Sequence, residues 1–266
     1  LFEVDLLTKK RKMIYEDKRA DIDATLVDPI TKKIQAVAVD YLEKEWIIFD
    51  ESIKEDIKNL SELNAGKIEI ISRTSNDSKW IVVYMQDDGP YKYYLYDRSS
   101  KEAKFLFVSN TKQEDYFFAK MHPVTINARD GLELVSYLTL PRWLDKGARL
   151  SSPIPLVLYV HGGPNSRDSK GYNSTHQWLA NRGYAVLSVN YRGSTGFGKS
   201  FINAGDGEWA RKMQNDLEDA RQWAIDNNIT EKDKVVIMGG SYGGYTTLVG
   251  MTMTPDLYAA GVDIVG

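Results

Sequence analysis

Val235-Val236-Ile237-Met238-Gly239-Gly240-Ser241-Tyr242-Gly243-Gly244 sets one serine between glycines, after an apolar run and before a helix-like segment from Tyr245 to Met253. The run reads as a buried strand. The G-x-S-x-G at its carboxyl end reads as a nucleophile elbow, a sharp strand-to-helix turn that holds a hydroxyl clear of the sheet. Gly239 and Gly243 leave room for a backbone path that side chains would obstruct. A second motif, His161-Gly162-Gly163-Pro164, follows the apolar run Leu156 to Val160. A glycine-containing loop in that place donates one oxyanion hydrogen bond and the residue after the nucleophile donates the other, so the amides of Gly163 and Tyr242 are the expected donors. A pair of tight turns in an inert sheet is the plainer alternative, and the strand-turn-helix context weighs against it.

Outward from the elbow, strands and helices alternate from about Met121 onward, the signature of an α/β layer fold. Val124 to Ala128 and Leu132 to Leu140, joined at Arg129-Asp130-Gly131, predict an opening hairpin. Leu156 to Val160, Ala185 to Asn190, Val235 to Met238 and Gly261 to Val265 predict buried parallel strands. A helix carries Met213, Leu217, Ala220 and Trp223 on one face, with Asp216, Glu218 and Asp219 expected largely on the others.

Residues 1 to about 118 speak a different language, short alternating runs such as Lys79 to Tyr84 and Tyr93 to Tyr96 between polar clusters. Asp5 to Lys9, Asp28 to Lys32 and Asp97 to Lys101 all read Asp-x-x-(Ser/Thr)-Lys. An aspartate that opens a turn can accept from the backbone two residues on, which suits a hairpin. The first and third copies are spaced as two propeller blades of roughly 46 residues would space them, while the middle copy falls off that register. Glu51 to Leu63, with Ile53, Ile57 and Leu60 at helical spacing, predicts a helical insertion.

The 266 residues carry a net charge of −3 with interspersed signs, so no basic face suggests a nucleic acid partner. With no cysteine, disulfides and thiolate chemistry are excluded while the compartment stays open. No apolar run approaches the roughly 20 residues that span a bilayer. Three scattered histidines make no metal cluster, and Gly193-x-x-Gly196-x-Gly198 lacks the dinucleotide spacing, so neither metal nor cofactor is expected.

Taken together, four segments resemble the prolyl oligopeptidase family of serine peptidases, particularly its acylaminoacyl-peptidase-like and dipeptidyl-peptidase-like branches. They are Ala128 to Gly131 with Tyr137 to Pro141, His161 to Pro164 with Arg167-Asp168, Asn190 to Gly198, and Gly239 to Tyr245. The resemblance covers residues 121–266 strongly and the β-rich region by architecture only. It implies a partial β-propeller of roughly two to three blades over residues 1–118, followed by a partial α/β hydrolase over 119–266 that holds the elbow. It implies Ser241 as nucleophile, an oxyanion hole from the Gly163 and Tyr242 amides, and hydrolysis of short peptides through an acyl-enzyme without a cofactor. The family's aspartate and histidine follow the nucleophile, and no histidine follows Ser241 in this chain. Both are therefore expected beyond the C-terminus of these residues, which alone should be inactive or nearly so. An esterase or lipase of the same fold, or a non-catalytic binding module, are the competing readings.

The remaining candidates have plainer readings beside them. His161 and Arg192 are candidates to face substrate; for His161 a structural or substrate-facing place is expected over that of a substitute base, and for Arg192 an ion pair. His176 is expected to pack in or on a helix, His122 to lie in a linker, and Asp263 to be a structural aspartate of its strand. Arg167 and Asp168 are expected to fix their loop as a pair. Tyr91, Tyr93, Tyr94 and Tyr96 are expected to pack within a sheet, with a peptide channel as the alternative.

Overall fold

The computed structural model describes residues 1–266, and its elements follow the two sequence patterns. Nine strands fall before residue 118. These are β1 (Phe2–Val4), β2 (Arg11–Met13), β3 (Ile22–Val27), β4 (Ile34–Asp40), β5 (Lys44–Ile48), β6 (Lys67–Arg73), β7 (Lys79–Met85), β8 (Lys92–Asp97) and β9 (Glu102–Val108). They form three antiparallel sheets of consecutive strands, β1-β2, β3-β4-β5 and β6-β7-β8-β9.

The repeated pentapeptide closes the hairpins β1-β2, β3-β4 and β8-β9. In each copy the aspartate Oδ1 accepts from the amide two residues on, at 2.9 Å for Leu7, 2.8 Å for Ile30 and 3.0 Å for Ser99. The lysine that ends each copy is left-handed, with φ of 59° at Lys9, 61° at Lys32 and 60° at Lys101. Three copies of one short sequence thus make one loop, because its hydrogen bonds are local.

The expected helical insertion is a 3₁₀ turn over Glu51–Ile53 running into α1 (Lys54–Leu63). Ile53, Ile57 and Leu60 bury one face of it against Trp80, Val82, Tyr84 and Tyr96. Three of the four tyrosines pack in that sheet as expected: Tyr96 is buried there, and Tyr94 meets Tyr84 edge-on at 5.4 Å. Tyr93 stacks on Phe107 at 4.6 Å.

The second region holds β10 (Met121–Asn127), β11 (Glu133–Thr139), β12 (Leu156–Val160), α2 (Ser174–Ala180), β13 (Ala185–Val189), α3 (Lys199–Asn203), α4 (Lys212–Asp226), β14 (Val235–Gly240), α5 (Tyr242–Met253) and β15 (Ala260–Ile264). Its six-stranded sheet runs β10-β11-β13-β12-β14-β15. The opening hairpin is antiparallel, and β12 pairs in parallel with both β13 and β14. β12 alternates between two packed faces, as its unbroken apolar run requires. Leu156, Leu158 and Val160 join the core with Met213 and Leu217 of α4, while Val157 packs with Leu179 of α2.

The strand order decides where a site can form. After β12 the chain moves to one side, to β13, and then crosses back over β12 to reach β14 on the other side. Loops leaving β12 and β14 therefore diverge at their carboxyl ends, the switch point at which open α/β sheets place ligands. Val160 is in register with Gly239, so His161 and Ser241 leave neighbouring strand ends. No helix is long and apolar enough to cross a membrane.

His122 departs from expectation: it is a residue of β10, and its Nε2 lies 2.6 Å from Asp145 Oδ2. Pro123 beside it is tolerated because β10 is an edge strand. His176 is a core residue of α2, 1% exposed, with Nδ1 2.9 Å from Thr139 Oγ1 and Nε2 2.8 Å from Ser188 Oγ. Burial depresses its pKa to about 3. Below the ordinary histidine value near 6.5 the unfolded chain takes up a proton that the folded chain refuses, so stability is lost as pH falls from about 6.5 toward 3. Denaturant unfolding should show this as a slope of up to about 1.4 kcal/mol per pH unit that His176→Gln removes. An unchanged slope in the variant would contradict the assignment.

Candidate active site

Ser241 sits at φ 55°, ψ −120°, a conformation that costs a non-glycine residue on the order of 1–3 kcal/mol and is held by its surroundings. Its amide donates to Ile264 O at 2.9 Å, and its carbonyl accepts from Tyr245 at 3.0 Å. The elbow is thus fixed from β15 on one side and from the first turn of α5 on the other. The side chain is exposed and its hydroxyl makes no capping bond to the helix it precedes. The flanking glycines are required by close approach. A Cβ on Gly239 would stand 2.6 Å from the backbone of Gly243, and one on Gly243 would collide with the carbonyl oxygen of Val160. Helix α5 can begin directly after the serine only because both side chains are absent.

The loop His161 to Pro164 lies against this elbow. A Cβ on Gly162 would stand 3.3 Å from Ser241 Cβ and 3.8 Å from its Oγ. His161 is 9% exposed and is committed elsewhere. Its ring stacks on Tyr191 at 4.5 Å, Nε2 lies 3.0 Å from Ser194 Oγ, and Nδ1 lies 2.8 Å from Gly162 O. A carbonyl can only accept, so Nδ1 carries the proton. Burial lowers the His161 pKa, opposed by the nearby Asp168 carboxylate. The Gly162 carbonyl and the Gly163 amide belong to one trans peptide and point to opposite sides of it. Holding the carbonyl against the imidazole therefore fixes the direction of the amide, which donates to no acceptor in the chain. Tyr242 is the first residue of α5, where an amide has no partner within the helix.

Around the elbow, Tyr242 is packed among Tyr191 at 5.5 Å, Trp209 at 4.8 Å and Tyr245 at 5.5 Å. Trp209 is 52% exposed. No local pattern marks Tyr191, Ser194 or Trp209 as neighbours of the elbow, since each reaches it across some thirty residues or more.

Arg192 is buried, 4% exposed. Its Nη2 lies 2.7 Å from Asp216 Oδ1, and its Nη1 lies 2.9 Å from Asp130 Oδ2. Its guanidinium is thereby occupied by two carboxylates and has no free face for substrate. Asp216, expected on an outer face of α4, is instead fully buried, because this ion pair turns it inward. Hydrogen bonds from Arg192 depress Asp130 to about 2. Asp216→Ala should cost about 3–5 kcal/mol in chemical denaturation, since it leaves a buried guanidinium half-paired. A loss under about 1 kcal/mol would show that the pair is dispensable.

Arg167 keeps part of its expected pairing, its Nε donating to the Asp168 carbonyl at 3.3 Å, and departs from the rest. Its guanidinium leaves the Asp168 carboxylate and donates to Asp40 O at 2.8 Å and Tyr41 O at 3.3 Å. Asp168 fixes the loop by its backbone, accepting from Asn190 Nδ2 at 3.1 Å and donating to Asn190 Oδ1 at 2.7 Å, and burial pushes its carboxyl up. Asp263 lies in β15, exposed, with Oδ1 accepting from Gly266 at 2.8 Å.

Comparison with known proteins places the chain in a family. Residues 170–266 match the prolyl oligopeptidase family. The whole chain is 53% identical to 39% of dipeptidyl aminopeptidase BIII of Pseudoxanthomonas mexicana. Over 97% of its length it is 38% identical to 37% of dipeptidyl peptidase family member 6 of Caenorhabditis elegans. Porphyromonas gingivalis dipeptidyl peptidase 4 shares the fold, with a TM-score of 0.75 at 20% identity over 98% of this chain and 37% of that one. The chain thus spans about two-fifths of the length of the curated relatives it matches. Similarity that runs from the β-rich strands through the serine elbow leaves one assignment: the chain belongs to the prolyl oligopeptidase family.

Proposed function

We propose that Ser241 is the nucleophile of a serine peptidase that hydrolyses short peptides through an acyl-enzyme. The observation that carries this is the exposed Ser241 hydroxyl on a strained elbow at the switch point of the sheet, against a loop whose Gly163 amide is free. A general base takes the Oγ proton as Oγ attacks the scissile carbonyl, and the amides of Gly163 and Tyr242 receive the oxyanion. The tetrahedral adduct collapses, the amine leaves with a proton from the base, and water attacks the resulting ester by the same steps in reverse.

None of the three histidines is placed to be that base. His161 binds Ser194 and Gly162, His176 binds Thr139 and Ser188, and His122 meets Asp145. In this reading the acid and histidine come from polypeptide beyond residues 1–266. The antiparallel sheets of residues 1–118 are read as roughly two to three blades of a propeller, with β6 to β9 as one four-stranded blade, and residues 119–266 as the hydrolase part. His161 holds the oxyanion loop and Arg192 an ion pair.

Mass spectrometry of short synthetic peptides incubated with the full-length protein tests the reading. Cleavage that disappears in Ser241→Ala is expected. Turnover of simple acyl esters with every peptide left intact would favour an esterase instead.

A further inference from the structure

The loop that carries the Gly163 amide continues to Arg167, and that side chain leaves the second region. Asp40 ends β4 and Lys44 begins β5, so the carbonyls of Asp40 and Tyr41 that it binds belong to a hairpin tip of the β-rich region. The guanidinium lies 4.4 Å from the centre of the Phe197 ring, 3.9 Å from the Asp40 carboxylate, and is mostly buried. A Cβ on Gly196 would stand 2.6 Å from its Nη1. The same tip is docked independently, by Tyr137 OH on Leu42 O at 3.3 Å and by Tyr41 OH on Glu133 at 3.1 Å. On its other side the loop is tied within the second region, by Asn165 Nδ2 on Gly193 O and by Thr195 N on Ser166 O, both at 2.9 Å. The segment from Gly162 to Asp168 is therefore clamped between residues 190–195 and the β4-β5 tip.

We propose that Arg167 is a positioning residue for the oxyanion hole, tethering the loop to the β4-β5 hairpin so that the place of the Gly163 amide depends on how the β-rich region sits. This rests on the assignment of that amide to the oxyanion hole. Two adjacent carbonyls and a ring face suit a planar fork, and the point charge of lysine cannot replace it. Oxyanion donors act through placement, and a displacement of about 1 Å can cost on the order of 10²-fold in rate. Movement of the hairpin would reach the hole through Arg167 without altering Ser241.

The test compares Arg167→Lys and Arg167→Met with Tyr41→Phe in the full-length protein; the last removes a docking bond of the same tip without touching the oxyanion loop. Both Arg167 variants should still label completely at Ser241 with a fluorophosphonate and keep KM within about threefold. Their kcat should fall roughly 10- to 100-fold, with an equal loss of affinity for a peptidyl boronate that forms the tetrahedral adduct. Tyr41→Phe should stay near wild type. Wild-type kcat and boronate affinity in Arg167→Met would overturn the proposal. So would a parallel loss of ground-state peptide binding and thermal stability, which marks general loosening. A wild-type protein unlabelled at Ser241 would instead sink the serine-peptidase reading beneath it.

Discussion

Ser241→Ala should remove hydrolysis almost entirely while leaving the fold untouched. Loss of the nucleophile in a characterised triad costs on the order of 10⁶-fold in kcat, and the residual rate comes from the oxyanion hole and binding. Stability should change by less than about 0.5 kcal/mol, because the hydroxyl is exposed and caps nothing. Alanine keeps the backbone at the same strained φ and ψ, so no relief of strain should confuse the comparison. Progress curves and denaturant melts on the same preparations separate the two effects. A variant that retains a tenth of wild-type kcat would move the nucleophile elsewhere.

His161→Ala should come next in size, through geometry and not through proton transfer. Its removal frees the Gly162 carbonyl from Nδ1 and the ring of Tyr191 from its stacked partner, so the peptide that presents the Gly163 amide can turn. Losing one oxyanion donor costs roughly 10²–10³-fold in kcat. The diagnostic is the pH profile. If His161 were the base, the acidic limb of kcat against pH would vanish with it. As a support for the loop, it should leave that limb in place on a lowered plateau. An unchanged plateau, or a lost limb, would contradict this supporting role.

Much of the fold was legible because it is encoded locally. β12 and β14 are apolar runs, and β13 is broken only by Ser188, whose hydroxyl His176 satisfies, as strands buried on two faces require. The Asp-x-x-(Ser/Thr)-Lys loops repeat because each aspartate satisfies the amide two residues away, and Asp5 and Asp28 also the one three residues away. Gly239 was legible for the same reason, since its close approach to Gly243 is set within the elbow, whereas Gly243 also clears the Val160 carbonyl of the neighbouring strand.

What escaped was long-range polar pairing. A polar residue on an amphipathic helix is assigned outward by periodicity, yet Asp216 turns inward because Arg192 meets it there, 24 residues earlier in the chain. Arg167 adjoins Asp168 in sequence, and its partners lie 126 and 127 residues away at the β4-β5 tip. His161 binds Ser194 across 33 residues. A side chain's partner across a sheet leaves no trace in local spacing, so the serine was visible in the sequence while the residues that hold its surroundings in place were not.

The central claim, that Ser241 attacks and the amides of Gly163 and Tyr242 receive the charge, is tested most directly by a crystal structure of the full-length protein inactivated with a peptidyl phosphonate. The predicted result is a covalent bond to Ser241 Oγ, with the phosphonyl oxygen about 2.7–3.1 Å from both amide nitrogens. Phosphorus on any other residue, or a phosphonyl oxygen turned away from Gly163 and Tyr242, would contradict it.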